Sequence, residues 1–243
     1  MSVLVVTGGG RGIGAAVCRR AARAGFDVVV NYAHDSSAAD SVVRDVEAEG
    51  RRAIAVQADV SDEAQVAELF TRADALGPLT ALVANAGITG DTPGRLDQQS
   101  AATVRRVLDV NVTGVFLCLR EAVRRMSATG GAIVTISSTA AHRGSPGEWA
   151  HYAASKAAVE TMTFGLAQEV AGDGIRVNTV APGLVNSDLH AAAGMPDRPQ
   201  RLASRIPLGR AGEPEEIANG VVWLLGPEAS FVTGAVLPIS GGF

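Results

Sequence analysis

Aromatic residues are scarce in this chain, at 4% of 243 residues, and only two cysteines occur, Cys18 and Cys118. Two cysteines cannot build the framework of a disulfide-rich secreted domain. Both lie in apolar, helix-like segments and read as buried thiols. No run of 18 apolar residues occurs, so no membrane span is expected. The four histidines (His34, His142, His151 and His190) lack metal-ligand spacing, which argues against a dedicated zinc site. Charge of either sign is sparse. Twenty-one basic side chains face 25 acidic ones, a net charge of −4, and neither a nucleic-acid surface nor a polybasic membrane anchor is suggested. No basic leader precedes the apolar run that begins at Val3, and the cytoplasm is the expected compartment.

What the chain has is apolar residues, at 47%, and 28 glycines. Short β-branched runs recur at 3–7, 27–31, 53–57, 80–84, 132–137, 175–180 and 235–239. Several are apolar throughout instead of alternating, as parallel strands are when helices cover both faces. Between them lie helix-like stretches at 12–24, 36–49, 62–76, 98–127, 151–171 and 214–225. Ser61-Asp62-Glu63 supplies a start signal for the third, and Pro214 suits the first turn of the last. No linker divides the chain. The pattern predicts one α/β domain over 1–243, a doubly wound Rossmann fold on a seven-stranded parallel sheet. The stretch 187–212 carries Gly194, Pro196, Pro199 and Pro207 and breaks the rhythm, as an excursion over the sheet edge would.

The first strand runs into Gly8-Gly9-Gly10-Arg11-Gly12-Ile13-Gly14, and a helix begins at once. Such a loop lets a pyrophosphate approach the backbone and the free N–H groups of the helix start. The second strand ends near Asn31. An acid there would bind a ribose 2′-hydroxyl and repel a 2′-phosphate. Asn31 does not repel one, Arg11 could reach it, and Ser36 or Ser37 could donate to it. The expected cofactor is therefore NADP(H), with NAD(H) second, and Asn31→Asp should shift preference toward NADH. Asp59, in Ala58-Asp59-Val60, suits either the adenine amino group or a helix cap. Asn85-Ala86-Gly87 follows the fourth strand, where small residues admit a ribose.

Tyr152 and Lys156 share a helix face at i, i+4. An ammonium beside a phenol favours the phenolate and lowers its pKa, so Tyr152 is a candidate general acid and base. Ser138 closes the fifth strand, where a hydroxyl can hold a substrate oxygen. Asn111 is a polar residue inside an apolar helix. It needs a partner, or marks a local bend or buried water.

Together these residues resemble the classical short-chain dehydrogenase/reductase family over nearly the whole chain. The likeness rests on Thr7 to Gly14, Asn85-Ala86-Gly87, the tetrad Asn111, Ser138, Tyr152 and Lys156, and Arg176-Val177-Asn178 with Pro182-Gly183. It implies hydride transfer between a nicotinamide and a carbonyl or secondary alcohol. Tyr152 would be the proton donor in reduction, and Lys156 would lower its pKa and hold the ribose. Ser138 would orient the carbonyl oxygen, and Asn111 would hold a water in a proton relay. The Val185 backbone and Ser187 would meet the carboxamide. The segment 187–212 would be a substrate lid, and the long helices and last strand would build a homotetramer. Ser138 lies 14 residues before Tyr152, where the family spacing is usually 13. Thr139 has that spacing, but Ile136-Ser137-Ser138 has the strand-end form. Ala84, Thr80 and Ser240 stand where Asn, Asp and Asp are frequent in the family. The substrate pocket is expected among His142, Arg143, Trp149, Leu189, His190 and Met195. Trp149 could stack on a ring or pack in an interface, and Arg143 could meet an acidic substrate or solvate a loop. A 3-oxoacyl thioester reductase and a non-catalytic NADP(H) sensor are the alternatives; the intact Tyr152/Lys156 pair argues against the sensor.

Overall fold

The computed structural model describes residues 2–90 and 93–243. Its strands are β1 (Ser2–Val6), β2 (Phe26–Tyr32), β3 (Ala53–Gln57), β4 (Leu79–Ala84), β5 (Gly131–Ile136), β6 (Ile175–Pro182) and β7 (Val236–Ile239). They form one parallel sheet in the order β3-β2-β1-β4-β5-β6-β7. The helices are α1 (Gly12–Arg23), α2 (Ser36–Ala48), α3 (Glu63–Leu76), α4 (Ala101–Leu108), α5 (Gly114–Met126), α6 (Ala140–Arg143), α7 (Ala150–Val170), α8 (Asp188–Ala192), α9 (Arg198–Leu202) and α10 (Pro214–Leu225).

The central strands are apolar on both faces because both faces are covered. One layer packs the strands against α1, α2 and α10, the other against α3, α5 and α7. β1 and β4 are neighbours, and the chain winds outward from them in opposite directions. That reversal opens a crevice at the carboxyl ends of the strands, where ligands bind in such sheets. Pro214 occupies the first turn of α10, and Asp62 caps α3 through Ala64 N–H and Gln65 N–H. Both cysteines are buried, which pushes their thiols up to about 12. Among the described residues, no helix is long and apolar enough to cross a membrane.

The structure corrects one element. The stretch 98–127 is not a single helix: a 3-10 turn at Leu96–Gln98 precedes α4, and a π-helical segment, Asp109–Thr113, separates α4 from α5. Apolar periodicity runs through both helices and conceals the one-residue widening between them. The excursion 187–212 contains α8 and α9. It is pinned by a bridge between Val185 and Gly212 and by Leu208 N–H on the Gly241 carbonyl at 3.1 Å.

Candidate active site

A cleft of about 1060 Å³ lies along the carboxyl ends of the strands, running from the glycine loop to α8 and α9. Its floor at one end is the turn between β1 and α1. Gly8 and Gly12 hold φ values of +61° and +51°, which side chains rarely tolerate, and a Cβ on Gly14 would collide with the Gly8 carbonyl. Arg11 sits at the N-cap of α1 without a side-chain cap, so the helix start keeps N–H groups free for an anion. The loop is braced from below. Asn85 Nδ2 donates to the carbonyls of Thr7 at 2.9 Å and Gly8 at 3.2 Å, while Thr7 Oγ1 accepts from Asn85 N–H and Ala86 N–H.

Asn31 lines the cleft and also belongs to that brace, so its side chain is engaged by the chain itself. Its Oδ1 accepts from Gly8 N–H at 3.1 Å, and its Nδ2 donates to the carbonyls of Ala58 at 3.0 Å and Val56 at 3.3 Å. The side chain is 1% exposed and its bonds all run inward. Side chains alternate along a strand, so one position decides whether a group points under the loop or out past it. Tyr32 ends the strand instead, and Ala33, His34 and Asp35 continue the rim. Asp35 caps α2 through Ala38 N–H at 2.9 Å. Ser36, in the first turn of α2, is exposed between the lining residues Asp35 and Ala38 and is not itself part of the lining. Arg11 lines the cleft, and its guanidinium has no ion-pair partner among the described residues.

Asp59 and Val60 line the same end. Asp59 Oδ1 accepts from Ser61 N–H and Ser61 Oγ, and Oδ2 pairs with Arg106 at 2.9 Å. Burial raises this carboxyl, but those bonds and the Arg106 charge outweigh it and hold it below its ordinary value.

The reacting centre gathers residues from β5, α7 and the loop after β4. The Ser138 hydroxyl acts on the Tyr152 phenol and favours its ionised form, and Ser138, Thr139 and Tyr152 all line the cleft. Lys156, 3% exposed, places Nζ 2.8 Å from the Ile136 carbonyl and 5.7 Å from the Tyr152 ring centre. Burial brings Lys156 down to about 8. It pushes the Tyr152 phenol up, and the Ser138 hydroxyl and the Arg198 charge pull it only part of the way back. The expected lowering of the phenol is therefore reversed here, because burial outweighs the groups that favour phenolate. Gly87 must be small: a Cβ there would stand 3.2 Å from Lys156 Nζ and 3.3 Å from Asn111 Oδ1.

Asn111 is fully buried in the π-helical segment, so the bend and the partner are both present. Its Oδ1 accepts from Ile88 N–H, and its Nδ2 donates to the Ile88 carbonyl and to Ser155 Oγ at 3.0 Å. Ser155 Oγ in turn donates to the Tyr152 carbonyl at 2.7 Å. At the end of β6 and just beyond it, Pro182, Gly183, Val185 and Ser187 line the cleft. The bridge to Gly212 uses Asn186 N–H and the Leu184 carbonyl, so Val185 N–H and C=O have no partner among the described residues.

The substrate end differs from expectation at two residues. His142 points away from the cleft and meets Glu160 of α7 at 3.0 Å, because α6 turns that face toward α7. Met195 does not line the cleft; it packs behind Trp149, Tyr152 and Ala193. Arg143, Trp149, Leu189 and His190 do line it. Trp149 is 2% exposed, with the Arg198 guanidinium 5.4 Å from its ring centre. Three residues unmarked by the sequence complete this end. Arg198 of α9 forms an ion pair with Glu148 through contacts of 2.6 and 3.3 Å, latching α9 to the loop before α7. Phe243 lies under Arg143, 3.8 Å from guanidinium to ring centre. Neither pairing has a local signal, since the partners are 50 and 100 residues apart in the chain.

A glycine-floored crevice at the reversal of a parallel sheet, facing a Ser138–Tyr152–Lys156 cluster, defines a nicotinamide-type oxidoreductase site. The chain belongs to the classical short-chain dehydrogenase/reductase family and is an oxidoreductase of it. The family model described as enoyl-(acyl carrier protein) reductase matches residues 8–243. The chain is 48% identical over 247 residues, covering all of both proteins, to the uncharacterized oxidoreductase YgfF of Escherichia coli strain K12. It is 41% identical to a 3-oxoacyl-[acyl-carrier-protein] reductase of Synechocystis, over 99% of this chain and 96% of that one. A short-chain dehydrogenase from Burkholderia cenocepacia, solved in complex with NADP, superposes with a TM-score of 0.91 at 38% identity, covering 98% of this chain and 96% of the other.

Proposed function

We propose that the protein is an NADP(H)-dependent reductase and dehydrogenase acting on a carbonyl or secondary-alcohol carbon, with Tyr152 as general acid in reduction and general base in oxidation. The observation that carries the reading is the Tyr152 phenol, acted on by the Ser138 hydroxyl and one helical turn from the buried Lys156. The glycine cradle and the uncapped start of α1 fit a dinucleotide pyrophosphate. When bound, the nicotinamide supplies or accepts the hydride. Ser138 orients the substrate oxygen and Tyr152 passes it a proton. The phenol is held protonated by burial, so the proton is present at neutral pH. The Lys156 ammonium stabilises the phenolate left behind and holds the ribose. Asn111 supports the relay by tying the loop after β4 to α7.

The NADP(H) preference rests on Arg11, a free guanidinium at the rim, and on the lack of an unengaged carboxylate at the end of β2. The Burkholderia relative, solved with NADP, supports it. Following NADPH absorbance with β-ketoesters, diketones, quinones, aldoses and acyl thioesters tests the activity; no oxidation with any of them overturns it. The Synechocystis relative favours a second reading, a 3-oxoacyl thioester reductase, and dominance of the acyl thioesters in that panel would select it.

The assembly proposed is a homotetramer in the cytoplasm. A tetramer with dihedral symmetry needs two distinct self-complementary faces. Exposed apolar side chains that could build them are Phe116 of α5, Phe164 of α7, Trp223 of α10, Phe231 and, on β7, Val236. Light scattering at micromolar concentration should give four times the chain mass, and a dominant monomer rejects it.

A further inference from the structure

The substrate end of the cleft holds a histidine for which the protein itself has no use. His190, in α8, is 9% exposed and lines the cleft. Neither ring nitrogen has a hydrogen-bond partner among the described residues; Nδ1 is sealed inside the protein, and Nε2 is the accessible nitrogen that a ligand in the cleft can meet. Buried polar groups are nearly always paired in folded proteins, so an unpaired one beside a reacting centre calls for an explanation.

Its surroundings tie it to the same end of the cleft as the proton donor. Ala193 accompanies His190 in the same short segment, its N–H donating to the His190 carbonyl, and Ala193 packs on Trp149 and Tyr152. The Arg198 charge acts on both the His190 imidazole and the Tyr152 phenol. The charged groups facing His190 are Arg198 from α9 and Glu148 from the loop before α7, and these two neutralise each other in their ion pair. Burial first and the Arg198 charge second bring the imidazole down to about 4, against a smaller opposing effect of Glu148. Near neutral pH the ring is uncharged, with one nitrogen a donor and the other an acceptor.

We propose that His190 is the second polar contact of the substrate, and that the substrate class is a carbonyl or secondary-alcohol compound bearing a second, uncharged oxygen near the reacting carbon. The inference rests on the reading of Tyr152 as the proton donor. A site that buries a hydrogen-bonding group discriminates against the analogue that cannot satisfy it. The uncharged ring suits a hydroxyl or a second carbonyl better than a carboxylate, and the cation whose charge acts on it, Arg198, is already paired with Glu148.

The test uses the full chain with NADPH and two matched pairs: cyclohexane-1,2-dione against cyclohexanone, and pentane-2,4-dione against pentan-2-one. The wild type should prefer the two-oxygen member. His190→Ala should lose roughly tenfold or more in kcat/KM on that member and less than about twofold on the monoketone, as removal of one buried hydrogen bond predicts. His190→Gln, which keeps an amide donor and acceptor, should recover part of the loss. NADPH affinity, read by fluorescence, should be unchanged in both variants. Equal losses on both members, or none on either, overturn the role of His190 while leaving the reductase reading intact. A wild type that oxidises NADPH with none of the four ketones, nor with any member of the wider panel, overturns the reductase reading and this inference with it.

Discussion

The two ends of the cleft spend their polar groups differently. At the glycine-loop end, Thr7, Asn31, Asn85 and Asp59 are engaged by the chain itself. At the substrate end, His190 and the Val185 backbone are left open, and Arg143 is stacked on Phe243 with no ion-pair partner among the described residues. A ligand at the first end meets a rigid cradle built mainly of backbone. A ligand at the second end supplies hydrogen bonds the protein lacks. Substitutions at the first end should therefore register in folding, and those at the second in selectivity. Tyr152, between the two, should register in chemistry alone.

The largest effect should come from that middle ground. Tyr152→Phe keeps the ring and removes the proton, and carbonyl reduction should fall roughly 100-fold or more. NADPH titration by fluorescence should be unaltered. Near-native turnover by the phenylalanine variant would remove Tyr152 as the acid.

Next comes the brace under the glycine loop. Asn31→Asp replaces a donor with a carboxylate facing the Val56 and Ala58 carbonyls. Urea unfolding should show a loss of about 3 kcal/mol, the scale of a buried charge without a partner. The variant should not gain affinity for NADH. A switch toward NADH with an unchanged unfolding midpoint would mean that Asn31 faces the ribose after all.

Arg11→Ala tests the outer rim of the same end. Loss of one charge-assisted contact should weaken NADPH binding about tenfold, leave NADH within about twofold, and leave the urea midpoint in place. Equal weakening of both cofactors would place Arg11 on the pyrophosphate instead of the 2′-phosphate.

The last effect is set by pH at Lys156, and it has opposite signs in activity and stability. In the free enzyme this lysine loses its proton near pH 8, so kcat/KM for reduction should decline as pH rises through that value. Unfolded, it keeps its proton up to its ordinary value of 10.5, so the unfolded chain binds more protons between about 8 and 10.5. The Lys156 contribution to folding stability should therefore rise with pH across that window. Lys156→Met should abolish both slopes, which urea titrations at pH 7.5 and 9.5 and a kcat/KM profile would show.

The glycine-loop end was also the more legible in the sequence. The glycine loop and Asn85 depend on local spacing, as does the Tyr152/Lys156 pair between the two ends, and α/β alternation brings them all to one cleft. Asn31 was legible as a residue but not as a direction, because strand parity against the loop is settled only when β1, β2 and β3 pair. His142 failed for a similar reason, since a one-turn helix with no apolar stripe does not declare its inner face. Arg198, Glu148 and Phe243 were silent because their contacts cross the fold. The π-helical segment was hidden by continuous helical periodicity on both sides.

That π-helical segment makes chain length there matter differently from residue identity. Deleting one residue from 109–113 would restore ordinary α-helical hydrogen bonding, at the cost of turning one flank by roughly 100°. α4 buries Val107 alone, whereas α5 buries a full apolar face, so α4 is the flank that would turn. A deletion before Asn111 leaves it attached to the flank that stays. A deletion just after it carries Asn111 round with α4, away from Ile88 and Ser155. Two deletions three residues apart, equal in length and composition cost, would thus part ways: one a tolerated scar, the other a disconnected active site inside an intact helix.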